Sequence, residues 1–127
     1  MTYETYEVLI YENGTKHWYL NDKRHREDGP AVEYANGSKF WYRNDKYHRE
    51  DGPAVEYADG SKFWYLNDKR HREDGPACIW ANGTKYWYLN DKRLTEEEFN
   101  REMYPVKEMT VEEISKALGY EVKVVKG

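Results

Sequence analysis

Short runs of aromatic and β-branched residues alternate with polar turn residues along most of the chain, and the alternation is periodic. Asn13-Gly14-Thr15-Lys16-His17-Trp18-Tyr19 returns as Asn36-Gly37-Ser38-Lys39-Phe40-Trp41-Tyr42, as Asp59-Gly60-Ser61-Lys62-Phe63-Trp64-Tyr65 and as Asn82-Gly83-Thr84-Lys85-Tyr86-Trp87-Tyr88, each 23 residues after the last. A second block, His-Arg-Glu-Asp-Gly-Pro-Ala, begins at His25, His48 and His71. Self-similarity at such a period is the signature of a repeat array, in which each unit buries its apolar surface against its neighbours.

Each unit carries two turn signals. Asn-Gly or Asp-Gly between strand-forming runs predicts a two-residue hairpin turn, because both central positions want positive φ. Asn21-Asp22, Asn44-Asp45, Asn67-Asp68 and Asn90-Asp91 predict a second turn, less ideal because Asp stands where Gly would be. A two-residue turn at Asn36-Gly37 sets Val32 opposite Trp41 and Glu33 opposite Phe40. One at Asn44-Asp45 sets Trp41 opposite His48 and Phe40 opposite Arg49. Since side chains alternate across a strand, one face should carry Val32, Trp41 and His48 with Tyr34 and Lys39 nearby. The other should carry Glu33, Phe40 and Arg49 beside Tyr42 and Tyr47. Repetition turns these into ladders, Trp18, Trp41, Trp64 and Trp87 on one side and His17, Phe40, Phe63 and Tyr86 on the reverse. The Asp-Gly-Pro step reads two ways: a reversal gives three strands per repeat, a bend gives two. Proline has no N–H to donate, so the ladder breaks there either way.

The expected fold is therefore mainly β, an elongated antiparallel β-hairpin meander over residues 1–94, with hairpin units starting near 8, 31, 54 and 77. The last complete hairpin runs from Ala77 to Leu89. Residues 95–127 read as a helix-helix-strand cap. Thr95 with Glu98 forms a capping box for a helix through about Met103, ended by Pro105. Thr110 with Glu113 starts a second helix, with Val111, Ile114 and Leu118 on one apolar face and Gly119 as its C-cap. Tyr120 to Val125 alternates like a strand. This cap should cover the last repeat and leave Tyr6 to Glu12 as the less protected edge, a place for homo-oligomerisation.

Composition sharpens this picture. Aromatic residues make up 17% of the chain and charged residues 35%, so the apolar surface comes from rings with polar rims, which suits a thin sheet better than a thick globule. The formal net charge of −4 is uneven: residues 1–94 carry 16 acidic and 15 basic groups, residues 95–127 carry 8 and 5. Neither part has the basic balance of a general nucleic-acid binder. Cys78 is the only cysteine, which excludes an internal disulfide and a Cys-rich zinc site. Its position matches that of Val32, so it reads as a small buried hydrophobe. The first residues have neither a basic start nor an apolar run, and no stretch is long enough to span a membrane, so a cytoplasmic location is expected.

The recurrent His25 and Asp28 could suggest metal binding or acid–base chemistry. A mid-strand His and a turn Asp copied in every repeat fit a structural role better, the His packing on Trp rings and the Asp satisfying turn amides. No single asymmetric catalytic constellation and no phosphate-cradling loop is present, so the expectation is a protein that is not an enzyme and needs no cofactor and no metal. Arg49-type guanidiniums are expected to stack on Phe40-type rings. The Trp face is expected to be the more core-like and the Phe/Tyr face the more exposed.

The 23-residue period, the Asp-Gly or Asn-Gly turn, the aromatic strands and the Asn-x-Lys-x-His turn resemble a MORN repeat over about residues 8–94. The resemblance implies two-strand hairpins stacked into an elongated single sheet, favours the bend over the reversal, and implies membrane-surface association for some members. The chain departs from that pattern at Phe-Trp-Tyr, where a Tyr-x-Gly-x-Trp glycine is missing, and in its Arg-x-Asp-Gly-Pro-Ala block. In these departures it is similar to a variant group of large tailed phages and giant DNA viruses, and residues 109–124 are similar to tails of phage-encoded proteins. The leading expectation is a phage or viral protein-binding module that engages a host protein such as a defence component, with inhibition as one form of that engagement. Its candidate contacts are Trp18, Trp41, Trp64, Trp87, Phe40, Phe63, Tyr42, Tyr65, Arg26, Arg49 and Arg72, because Trp, Tyr and Arg dominate interface hot spots. Stacking of single-stranded nucleic acid or a nucleotide is a second reading, disfavoured by local acidic residues. Membrane association lacks a polybasic patch or lipidation signal. A structural, self-associating virion role remains open.

Overall fold

The computed structural model of the protein describes residues 4–105, 109–119, 121 and 123. It is mainly β, an antiparallel meander followed by two short helices. The first strands are β1 (Tyr6–Ile10), β2 (Lys16–Leu20), β3 (Lys23–Arg24), β4 (Val32–Glu33), β5 (Lys39–Phe40), β6 (Tyr42–Arg43) and β7 (Lys46–Tyr47). The same cycle continues with β8 (Val55–Glu56), β9 (Lys62–Phe63), β10 (Tyr65–Leu66), β11 (Lys69–Arg70), β12 (Cys78–Ile79), β13 (Lys85–Leu89) and β14 (Lys92–Leu94). Helices α1 (Glu96–Met103) and α2 (Val111–Leu118) follow.

Of the two turns, Asn-Asp makes the expected two-residue turn and Asn-Gly does not. At Asn36-Gly37 the Tyr34 N–H donates to the Ser38 carbonyl and the Gly37 N–H to the Tyr34 carbonyl, each at 2.9 Å. The loop is therefore three residues, a type I turn closed by Gly37 at φ +94, with the Asn36 Oδ1 accepting from the Ser38 N–H. Only the glycine takes positive φ. Asn44 and Asp45, by contrast, both take it, at 50° and 65°, and make the tight two-residue turn. The expected register at Asn44-Asp45 holds, with Tyr42 opposite Tyr47 and the His48 N–H donating to the Trp41 carbonyl.

At the Asn-Gly loops the register is one residue off the expectation. Val32 faces Phe40 and Glu33 faces Lys39, and the pattern repeats at Val55–Phe63 and Cys78–Tyr86. A one-residue slip moves a side chain to the opposite face, so Val32 belongs with Phe40 and not with Trp41. The core consequently lies on the Val/Phe/Tyr face, where Val32, Val55, Phe40, Tyr42 and Cys78 are buried. The Trp ladder stands half-buried on the reverse, so the expected ranking of the two faces is inverted.

The Asp-Gly-Pro step bends the chain without reversing it. β3 and β4 both run antiparallel to β2, at Tyr19–Arg24 and His17–Val32. Between them the His25 N–H donates to the Trp18 carbonyl and the Trp18 N–H donates to the Ala31 carbonyl. The chain leaves the sheet after His25, makes a protruding loop, and re-enters at Ala31 in the same direction. Arg49 has accordingly left the hairpin and does not face Phe40; its N–H donates to Tyr65 of the next repeat.

Side chains tie successive repeats together. The Thr15, Ser38 and Ser61 hydroxyls accept the Ala35, Ala58 and Ala81 N–H groups at 2.9–3.1 Å, and all three side chains are buried. The Nδ1 atoms of His25, His48 and His71 accept the Asn44, Asn67 and Asn90 N–H groups at 3.0–3.1 Å. Asp45, Asp68 and Asp91 accept backbone N–H groups of the preceding repeat, from Arg24, Tyr47 and Arg70. The histidine's role is thus to bond the following turn. Leu94 takes the histidine position in the final unit, is buried, and leads into α1.

Helix α1 has the expected capping box at Thr95 and packs against β13 and β14 with Phe99 buried at 2% exposure. Helix α2 is capped by Thr110 and Gly119 as expected but has no buried residue, so among the described residues it is α1 that packs on the last repeat. The strand expected over Tyr120 to Val125 falls largely outside the described residues.

Candidate functional site

On the Trp face, each of three arginines lies over an indole ring. The Cζ atoms of Arg26, Arg49 and Arg72 sit 4.0, 3.9 and 3.9 Å from the ring centres of Trp18, Trp41 and Trp64. The expected partner of Arg49 was Phe40, but leaving the sheet after His48 carries the arginine to the Trp side. Each guanidinium is fixed further by its Nε donating to Asp28, Asp51 or Asp74 and its Nη1 donating to the Pro30, Pro53 or Pro76 carbonyl. Its other face meets the loop glycine: a Cβ built on Gly52 would lie 2.8 Å from the Arg49 Cζ. Asp28 and its copies therefore hold the arginine first, and the Asp51 and Asp74 carboxylates also accept from their own backbone N–H groups as a lesser contribution. The Arg49 guanidinium in turn holds the Asp51 carboxyl below its ordinary pKa through a hydrogen bond first and charge second.

Between consecutive loops lie open clefts, one of about 590 Å³ floored by Trp64 and one of about 530 Å³ floored by Trp41. Their arginines are already committed to indole, carboxylate and carbonyl. Trp87 has Thr95 where the other units have arginine, and among the described residues no guanidinium lies over it. Among the described residues, no three His, Cys, Asp or Glu side chains come together in a geometry that could hold a metal ion.

The opposite face holds a continuous aromatic zipper. Tyr11, His17, Tyr34, Phe40, Tyr57, Phe63, Trp80 and Tyr86 contact one another in that order, each edge to face, with centroids 4.9–5.9 Å apart. Pairing places His17, Phe40, Phe63 and Tyr86 in one row across the sheet, while Tyr11, Tyr34, Tyr57 and Trp80 stand at the hairpin border. Tyr11, Tyr34 and Tyr57 are 51, 44 and 46% exposed, yet each ring is held by its neighbours. Edge-to-face contacts of this kind each add about 0.5–1.5 kcal/mol beyond burial.

A second aromatic group lies inward, with Tyr42, Tyr47 and Tyr65 centroids 4.7 and 5.1 Å apart in sequence. Burial first, then the Tyr47 hydroxyl, pushes the Tyr42 hydroxyl far above the usual tyrosine range. Arg24 lies over Tyr42 and Arg70 over Tyr88, at 5.0 and 4.2 Å. Burial, with the charge of Arg24 second, lowers the His17 pKa, and its Nδ1 is buried without a hydrogen-bond partner.

The residues singled out in the sequence are thus divided. Phe40 and Tyr42 are buried core, Phe63 and Tyr65 pack against that core, and Trp18, Trp41 and Trp64 lie beneath Arg26, Arg49 and Arg72. The exposed rings of the zipper are Tyr11, Tyr34 and Tyr57, which that choice omitted. Their 23-residue spacing and their place just before each Asn-Gly or Asp-Gly turn were the signals available.

No family model matches the chain, no curated protein matches it, and no solved structure matches it. No helix among the described residues is long and apolar enough to cross a membrane.

Proposed function

We propose that this chain is a non-enzymatic protein-interaction module, MORN-like in its repeat and phage- or virus-encoded, that binds a host protein through its Phe/Tyr face. The observation that carries the reading is the zipper border. Three half-exposed tyrosines recur at one position per repeat, braced by edge-to-face contacts so that little side-chain freedom remains to be lost on binding. Tyr and Trp rings of this kind supply most of the binding energy in protein interfaces. The Trp face supports the sheet: Trp18, Trp41 and Trp64 lie under arginines whose Nε and Nη1 already donate within their own loops.

The test is affinity capture from host-cell lysate, with and without nuclease, comparing wild type with Tyr34→Ala/Tyr57→Ala. Both tyrosines are half-exposed, so circular dichroism should show the variant folded. A protein retained by wild type, lost with the variant and indifferent to nuclease supports the proposal. Retention that vanishes on nuclease treatment points to stacked nucleic acid, and equal retention by both proteins removes the tyrosine border from the site.

A further inference from the structure

We propose that two copies of this chain pair edge to edge through β1, antiparallel about Val8, making one continuous sheet. The repeat supplies the reasoning, because it shows what an interior strand does with the positions that β1 leaves open. Residues Val8, Leu9 and Ile10 stand 23 positions before Ala31, Val32 and Glu33. In the interior, Ala31 is 0% exposed and Val32 1%, with the Ala31 carbonyl accepting from Trp18 of the preceding repeat. At the start of the array, Val8, Leu9 and Ile10 are 41, 48 and 67% exposed, and all five residues of β1 are exposed.

The hydrogen-bond phase selects which groups are open. The Tyr11 N–H donates to the Thr15 carbonyl, so in the β1–β2 register Leu9 and Glu7 also point their backbone groups at β2. Tyr6, Val8 and Ile10 therefore turn their N–H and C=O groups outward. Natural edge strands blunt such a row with lysine, proline or a bulge. Here the three outward residues are all apolar; at the position of Ile10 the interior repeats carry Glu33, Glu56 and Ile79.

The strand is also complementary to itself. Antiparallel pairing about Val8 sets Val8 against Val8 and Tyr6 against Ile10, each as a doubly hydrogen-bonded pair, with six apolar side chains gathered on the Trp face. Glu7 falls opposite Leu9 of the other copy, so no like charges are opposed. At the other end of the array α1 packs on β13 and β14, so pairing through β1 closes as a two-fold dimer and does not propagate into a fibre. The dyad stands perpendicular to the sheet, so the tyrosine borders of both copies share one side.

Sedimentation equilibrium of the full chain tests this, with Val8→Lys as the disrupting variant. Wild type is expected to form a reversible dimer and Val8→Lys to remain monomeric, while Tyr34→Ala/Tyr57→Ala, which probes the protein-binding face, still dimerises. Cross-linking tests the register without adding charge. Directly opposed Cα atoms in such a pair lie about 5.5 Å apart, within disulfide reach. Val8→Cys should give a covalent dimer under mild oxidation, and Tyr6→Cys should do so only when mixed with Ile10→Cys. Cys78, at 2% exposure, does not compete. A wild type that stays monomeric, a dimer that survives Val8→Lys, or Tyr6→Cys coupling to itself as readily as Val8→Cys would each overturn the proposal.

Discussion

Replacing Gly52 with alanine adds one methyl group where the Arg49 guanidinium passes between the loop backbone and the Trp41 ring. The added Cβ would meet the Arg49 Cζ at 2.8 Å and its Nε and Nη1 at 3.1 Å, while the ring centre lies 3.9 Å away on the other side. The guanidinium cannot retreat into the ring, so it must leave the stack. It then forfeits a cation–π contact worth about 1 kcal/mol at a partly buried site. It also loses a charge-assisted bond to the Pro53 carbonyl worth about 1.5 kcal/mol, the lower end for a charged donor at a part-buried site. Alanine restricts the unfolded chain more than glycine does, which returns about 0.4–1 kcal/mol. The net cost is about 1.5–2 kcal/mol, a fall in melting temperature of about 5–8 °C for a domain of this size. The decisive arm is the same change in an Arg49→Ala background. With nothing to displace, only the unfolded-chain term remains, and Gly52→Ala should become neutral or slightly stabilising. Thermal denaturation of the four proteins of this cycle, followed by circular dichroism, gives the coupling directly. An equal loss in both backgrounds would refute the stack as the reason for the glycine.

Four further outcomes follow from the same geometry. His48→Leu removes the acceptor for the Asn67 N–H and should cost about 1–2 kcal/mol in denaturant unfolding, whereas Leu94→His, with no following turn to bond, should gain nothing. Ser61→Ala strands the Ala81 N–H that bonds a buried hydroxyl and should cost about 1 kcal/mol or more; Thr84→Ala, at the exposed equivalent position, should be near neutral. His17→Phe removes a buried nitrogen without a partner and should stabilise the protein. Because the folded-state pKa of His17 is lowered from 6.5, its deficit is absent above that pH and grows as pH falls through the folded value. The gain from His17→Phe in denaturation midpoint should therefore be larger at about pH 5 than at about pH 8. Burial pushes the Cys78 thiol up to about 11, so an aromatic disulfide reagent near pH 8 should label it only as fast as the protein opens.

Local chemistry determined much of this molecule. The 23-residue period, the two turns per unit, the capping box at Thr95, the N-cap at Thr110 and the left-handed Gly119 each depend on a few adjacent residues, and all were readable in order. The burial of Cys78 followed from its match to Val32. What tertiary structure decided was register, and with it the identity of each face. Asn-Gly suits a two-residue turn and a three-residue turn with a glycine bulge alike; the choice rests on whether Val32 packs with Phe40 across neighbouring strands, which no single hairpin can report. That one-residue difference moved the core to the Val/Phe/Tyr side and left the tyrosine border exposed. The arginine stacks were hidden for a related reason. Asp-Gly-Pro announces a break, but only the three-dimensional course of the loop carries Arg49 to the Trp41 face and brings Gly52 against it. The contacts of His25, Ser38 and Asp45 with neighbouring repeats span 19 to 21 residues, and such partners become visible only when the units stack.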